Sequence, residues 1–192
     1  MGVLGYMALT AFAALAAWGI VVYNRLVRLK HNVRASWSNI DVLLKQRHDE
    51  LPKLVAICKE YMRHEQETLE RVTRARAQVA VALEHEDVGE LGAAETVLRQ
   101  GLARLFAVSE SYPDLKANET FRHLQGRISE LENTIADRRE FYNDAANINN
   151  IRIEEFPDLF IARTFGFKPA ALLRFEESAL KDVDLQALFK RS

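Results

Sequence analysis

The chain begins with a long apolar run. From Val3 to Asn24 no residue carries a charge, and charge starts at Arg25. At a rise of roughly 1.5 Å per residue, about 20 apolar residues in a helix cover roughly 30 Å, the hydrocarbon thickness of a bilayer. The pattern predicts one transmembrane helix over residues 1–24. It reads as a retained anchor and not as a cleaved signal peptide. No Lys or Arg precedes the run, and Ala14-Leu15-Ala16, which resembles a cleavage site, lies mid-run with Ile20-Val21-Val22 still to come.

Beyond the run the apolar positions recur in steps of three and four. Val33, Trp37, Ile40, Leu44, Leu51, Leu54 or Val55, Cys58, Tyr61 or Met62, Leu69, Val72, Val79 and Leu83 hold nearly one phase, which is one helical seam. Pro52 interrupts it, with Asp49 placed to cap a new helix; the kept phase predicts a kink or a tight restart, not a long loop. The acidic stretch around Glu84 and Asp87 closes this helix in an exposed turn. A second helix is expected from about Glu90 to Ser111, with Leu91, Val97 or Leu98, Leu102, Leu105 and Val108 inward. Tyr112-Pro113 stops it, because the residue before Pro is pushed out of the α region. A third starts at Asn118 and runs about 37 residues, roughly 55 Å, to Phe156-Pro157. Its expected seam is Phe121, Leu124, Ile128, Leu131, Ile135, Phe141 or Tyr142, Ala145, Ile148, and Ile151 or Ile153. No strand pattern occurs. The fold class is all-α: a single N-terminal transmembrane helix, then an up-and-down antiparallel bundle of three to four long helices over residues 25–155. Trp37, Ile40, Leu44, Phe121, Leu124 and Tyr142 are its expected core, with Phe141 a further large side chain. A Phe-rich segment and tail, 156–192, completes the chain.

Charge fixes the orientation. Arg25, Arg28, Lys30 and Arg34 all flank the C-terminal side of the run, so the positive-inside rule puts the bundle in the cytoplasm and the N-terminus outside. The same four side chains are candidate contacts to lipid headgroups. Thr10, Ala13, Ala14 and Ala17 recur at i, i+3, i+4 and i+7, a small-residue face suited to close helix packing in the membrane. Over the whole chain 26 Lys and Arg balance 27 Asp and Glu, which argues against nucleic acid as a partner.

Catalytic chemistry finds little support. His64-Glu65 and His85-Glu86 start like a zinc-protease motif, but neither has a second His four residues on. The single Cys58 lies on the seam and excludes a disulfide framework. No phosphate-binding glycine loop or serine elbow is present. No catalytic, cofactor or metal residue is assigned, and the chain is not read as an enzyme. Two features invite contacts instead. Asn143, Asn147 and Asn150 share a face of the third helix, where inward amides would need partners. The segment from Phe156 to Phe175 is broken by Gly166 and two Pro. In a bundle with an even number of passes it returns to the membrane end, where Phe156, Phe160, Phe165 and Phe167 are candidates for docking on the bilayer or on a second subunit.

Several blocks together resemble the bacterial LemA family. They are Tyr23 to Val27, Trp37-Ser38-Asn39-Ile40-Asp41-Val42, Leu44 to Arg47, Leu51 to Val55, Tyr112-Pro113-Asp114-Leu115-Lys116-Ala117-Asn118, Tyr142-Asn143, Phe156-Pro157 and Phe165-Gly166-Phe167. One departure is that a second Tyr-Asn pair of the family reads Ile148-Asn149 here. The resemblance implies an N-terminally anchored four-helix bundle at the bacterial inner membrane, and one branch of the family takes part in building magnetosome membranes. Two functions follow as expectations. The first is a self-associating scaffold, with membrane lipids and further copies of itself as partners. The second is a monomeric adaptor that recruits another membrane protein, such as a protease.

Overall fold

The computed structural model describes residues 2–85 and 87–175, and the tail expected beyond Phe175 lies outside them. The helices are α1 (Val3–Tyr61), α2 (Gln66–Glu84), α3 (Val88–Ser109), α4 (Pro113–Ala117), α5 (Glu119–Glu154) and α6 (Asp158–Thr164). No strand occurs among the described residues. The all-α expectation holds, and the fold is a helical bundle behind a long apolar N-terminal helix. The helices pack as two compact units. The first joins the residues up to Leu44 with Glu132–Leu172; the second joins Lys45–Leu131 with the described residues from Leu173 on.

In the second unit, α1 continues without a break past Pro52 and ends at Tyr61. The chain turns at Met62–Glu65, not at the Pro. A Pro has no N–H to give the carbonyl four residues back, here that of His48. Arg76 on α2 supplies the missing donor, its Nε bonding the His48 carbonyl oxygen at 2.9 Å. Its Nη2 also lies 2.6 Å from His48 Nε2. A guanidinium only donates, so that ring nitrogen accepts and His48 is the neutral Nδ1–H form. Burial, and then the Arg76 charge, hold the His48 pKa below its ordinary value.

α2 and α3 form a hairpin. Asp87 caps α3, its Oδ1 accepting from the amides of Gly89 and Glu90 at 2.8 and 2.9 Å, worth about 1 kcal/mol. Leu69, Val72, Ala75, Val79 and Ala82 are the buried stripe of α2, and Leu91, Ala94, Leu98, Leu102 and Leu105 that of α3. Two charges lie in the same interior. Arg47 on α1 pairs with Glu95 on α3, each side chain 1% exposed. Cys58 is fully buried, and burial pushes its thiol up to about 12. The Tyr112–Asn118 block is a compact connection. Pro113 opens the short helix α4, which the sequence reading missed, and Leu115 is fully buried. Asn118 Oδ1 then caps α5 through the Phe121 amide at 3.0 Å, while its Nδ2 donates to the Tyr61 hydroxyl at 3.2 Å. The last described residues cross α3 so closely that a Cβ on Gly92 would collide with the Arg174 carbonyl oxygen.

Of the expected core residues, Ile40, Leu44, Phe121, Leu124 and Tyr142 are buried, and Trp37 is half-buried against Tyr142. Phe141 is not core: it is 58% exposed. The inward line of α5 in the first unit is Tyr142, Ala146, Asn149 and Ile153, so Ile148 and Ile151 face out.

Candidate membrane-interface site

In the first unit, Val3 to Val21 stay exposed around the whole helix apart from a partly covered Gly19. An apolar helix bare on every side is at home in a bilayer, where its backbone is satisfied internally. Thr10 fits that setting, because its hydroxyl donates within its own helix, toward the Tyr6 and Met7 carbonyls at 3.1 and 2.9 Å. Ala13, Ala14 and Ala17 are exposed beside it, as are Arg25, Arg28, Lys30 and Arg34 below the run.

Burial begins where the run ends. Val22 and Leu26 of α1 pack with Ile153 of α5 and Ala162 of α6, and Ile161 and Phe167 cover them. Ile161 Cδ1 reaches 3.9 Å from the place a Gly19 Cβ would take. The Tyr23 ring meets Phe165 and Phe167 at centroid distances of 4.8 and 5.9 Å. The Phe-rich segment therefore does return to the end of the apolar run, and it does so by packing on its own chain through Phe167. Phe156, Phe160 and Phe165 remain 79, 61 and 59% exposed.

Two devices hold the returning segment. Gly166 takes a φ of +68°, a left-handed turn that suits glycine. Beyond it, Asn150 brackets the Ala170 backbone. Its Nδ2 donates to the Ala170 carbonyl at 2.8 Å and its Oδ1 accepts the Ala170 amide at 2.7 Å. The Tyr142 hydroxyl donates to the Ala171 carbonyl at 2.7 Å, and burial raises its pKa. Asn149 is 4% exposed and donates to Asn150 Oδ1 at 3.2 Å. Of the expected asparagine face, Asn150 makes its contact and is joined by Asn149, which the sequence reading missed; Asn143 is half-buried and Asn147 is exposed.

Between α1 and this segment lies a cavity of about 630 Å³. Tyr23, Val27, Phe165 and Phe167 supply its apolar wall; Lys30, His31, Lys168 and Asn149 supply its polar groups. Lys168 and His31 escaped the sequence reading. The signal available was the pairing of Phe167 with Lys168 just past a glycine, in a segment already expected near the basic flank. Among the described residues, no three His, Cys, Asp or Glu side chains gather as a metal site.

The family model described as the LemA family matches residues 36–186. The chain belongs to the LemA family. It is 27% identical over 206 residues to magnetosome protein MamQ 2 of Paramagnetospirillum magneticum, covering 95% of this chain and 74% of that one. Magnetosome protein MamQ of Magnetospirillum gryphiswaldense is 24% identical over 172 residues, 76% of this chain and 62% of its own. Protein LemA of Metamycoplasma hominis is 27% identical over 166 residues, with 86% and 74% covered. This LemA-family chain is accordingly a membrane protein with a helical-bundle fold. Its family blocks do structural work: Trp37 packs on Tyr142, Tyr142 holds the return segment, and Asn118 caps α5.

Proposed function

We propose that this chain is a single-pass helical scaffold that self-associates on the cytoplasmic face of the bacterial inner membrane. The observation that carries this reading is apolar surface left bare outside the span. On α5, Phe141, Ile148 and Ile151 are 58, 54 and 49% exposed. They fall at i, i+7 and i+10, which is one side of a helix. Such a stripe, several apolar side chains long, marks an interaction face. A second copy of the bundle covers it, and the small-residue face of Thr10, Ala13, Ala14 and Ala17 adds contacts in the membrane.

Arg25, Arg28, Lys30 and Arg34 set the orientation and meet the anionic leaflet. Phe156, Phe160 and Phe165 rest in the bilayer interface beside Tyr23. Relatives that bear the name magnetosome protein support a role in organising membrane. A second reading, the monomeric adaptor, draws on an open groove of about 750 Å³ lined by Lys59, Met62, Arg63, Leu69 and Glu70. Size exclusion with light scattering on the full-length protein in mild detergent separates the two. The scaffold gives a large, defined particle that shrinks when Phe141→Asp and Ile148→Asp are combined. A monomeric wild type overturns the scaffold and favours the adaptor.

A further inference from the structure

We propose that the cavity between α1 and the segment after Gly166 holds the phosphate headgroup of an anionic phospholipid. This rests on reading the chain as membrane-anchored, and not on its self-association.

Three observations converge. The first is charge. Lys30 and His31 on α1 meet Lys168 from the far end of the chain, and among the described residues no Asp or Glu belongs to the lining. Two lysines facing one cavity, with no carboxylate to neutralise them, suit a phosphate. The second is construction. Lys168 is brought to the cavity by the left-handed turn at Gly166 and kept there by the Asn150–Ala170 bracket two residues on. Asn149, almost wholly buried, adds a fixed amide to the lining. At about 630 Å³ the space falls within the usual range of small-ligand cavities, roughly 300–1,000 Å³.

The third observation is depth. The lining on α1 reaches Val33, and its cationic and imidazole groups, Lys30 and His31, stand two turns beyond Tyr23, which ends the apolar run. That is about 10 Å of helix, close to where a leaflet's headgroups lie below its hydrocarbon. Its apolar wall of Val27, Phe165 and Tyr23 lies on the side toward the run, where a lipid's glycerol and first methylenes would sit. A soluble phosphate would use the lysines but not this wall.

The test uses full-length protein reconstituted in phosphatidylcholine vesicles containing phosphatidylglycerol, extracted gently and weighed by native mass spectrometry. The wild type should retain phosphatidylglycerol. In Lys30→Gln/Lys168→Gln the retained fraction should fall steeply, by roughly 100-fold or more for the loss of two charge-assisted hydrogen bonds to one phosphate. The pair Arg25→Gln/Arg28→Gln removes the same charge from the leaflet-facing flank outside the cavity and should lower retention far less than the cavity pair. Lys30→Arg/Lys168→Arg should keep the lipid, and an unchanged circular-dichroism melt shows that each variant is folded. Equal loss in both Gln pairs would reduce the effect to general attraction by the basic flank and overturn the site. A wild type that retains no lipid, but whose melting inorganic phosphate raises through Lys30 and Lys168, would replace the lipid with a soluble phosphate. A lipid-bearing monomer would leave this site standing while removing the scaffold.

Discussion

Arg76→Met should destabilise the protein chiefly because of a proline on another helix. Pro52 leaves the His48 carbonyl without its helical partner, and Arg76 Nε fills the gap at 2.9 Å. Taking a donor from a buried carbonyl costs about 1–3 kcal/mol. His48 is only half-buried, so water softens the loss, and about 1–2 kcal/mol is expected. The cycle with Pro52→Ala isolates the cause. Alanine restores the amide, which can bond the His48 carbonyl directly, and it relieves an interior proline worth up to about 3 kcal/mol. In the Pro52→Ala background the cost of Arg76→Met should shrink by about 1 kcal/mol, the remainder being its contact with His48 Nε2. Denaturant unfolding of the full-length protein in detergent, followed by circular dichroism, measures all four proteins. For a chain of this size each kcal/mol is also about 2–4 °C in melting temperature. An equal cost of Arg76→Met in the wild-type and Pro52→Ala backgrounds refutes the reasoning.

Other expectations follow from the same geometry. Glu95→Ala leaves the Arg47 guanidinium in a place where it is 1% exposed, and should cost about 3–5 kcal/mol, whereas the volume-matched pair Arg47→Met/Glu95→Leu should recover most of it in the same unfolding assay. Because His48 has a folded-state pKa below its unfolded value, the unfolded chain binds the extra proton, so its share of stability is present above about pH 6.5 and is lost as pH falls below that; melting at pH 7.5 and 5.5 should differ less in His48→Gln. With a thiol pKa near 12, Cys58 should react with iodoacetamide at pH 8 about 10³-fold more slowly than a free thiol, and at the ordinary rate once denaturant is added. Asn150→Ala removes both bonds to the Ala170 backbone and should cost about 1–3 kcal/mol, with faster proteolysis between Phe165 and Phe175.

Long regular features were legible in the sequence, and exchanges between distant segments were not. The apolar run, the three-four seams and the helix start at Asn118 are local, so each can be read from a few neighbouring residues; the cap at Asp87 is local too, but in the sequence its stretch reads as the end of the preceding helix. The break after Tyr61 could not be, because Met62-Arg63-His64-Glu65 carries no Gly or Pro, while Pro52, the expected breaker, is tolerated only because Arg76 comes from α2. Arg47 was hidden for a similar reason. It fills the gap in the seam between Leu44 and Leu51, and Glu95 sits between Leu91 and Leu98; a charge at an apolar register position on each of two helices was the available sign. In α5, Asn149 takes the inward line in place of Ile148, donating to Asn150 Oδ1, while Asn150 bonds the backbone of the returning segment. Apolar periodicity favours the isoleucine and does not contain those partners.

The claim at the centre of the membrane reading, on which the lipid site depends, is that α6 lies at the bilayer surface beside the end of the apolar run. Its most direct test is the depth of Phe160. With Cys58→Ala as background, a nitroxide at Phe160→Cys in phosphatidylcholine bilayers can be compared with labels at Val21→Cys and His64→Cys by collision with oxygen and with a water-soluble nickel complex. The expected result is an oxygen-favoured label close to that at position 21. A nickel-favoured label matching position 64 would place α6 in water and contradict the account.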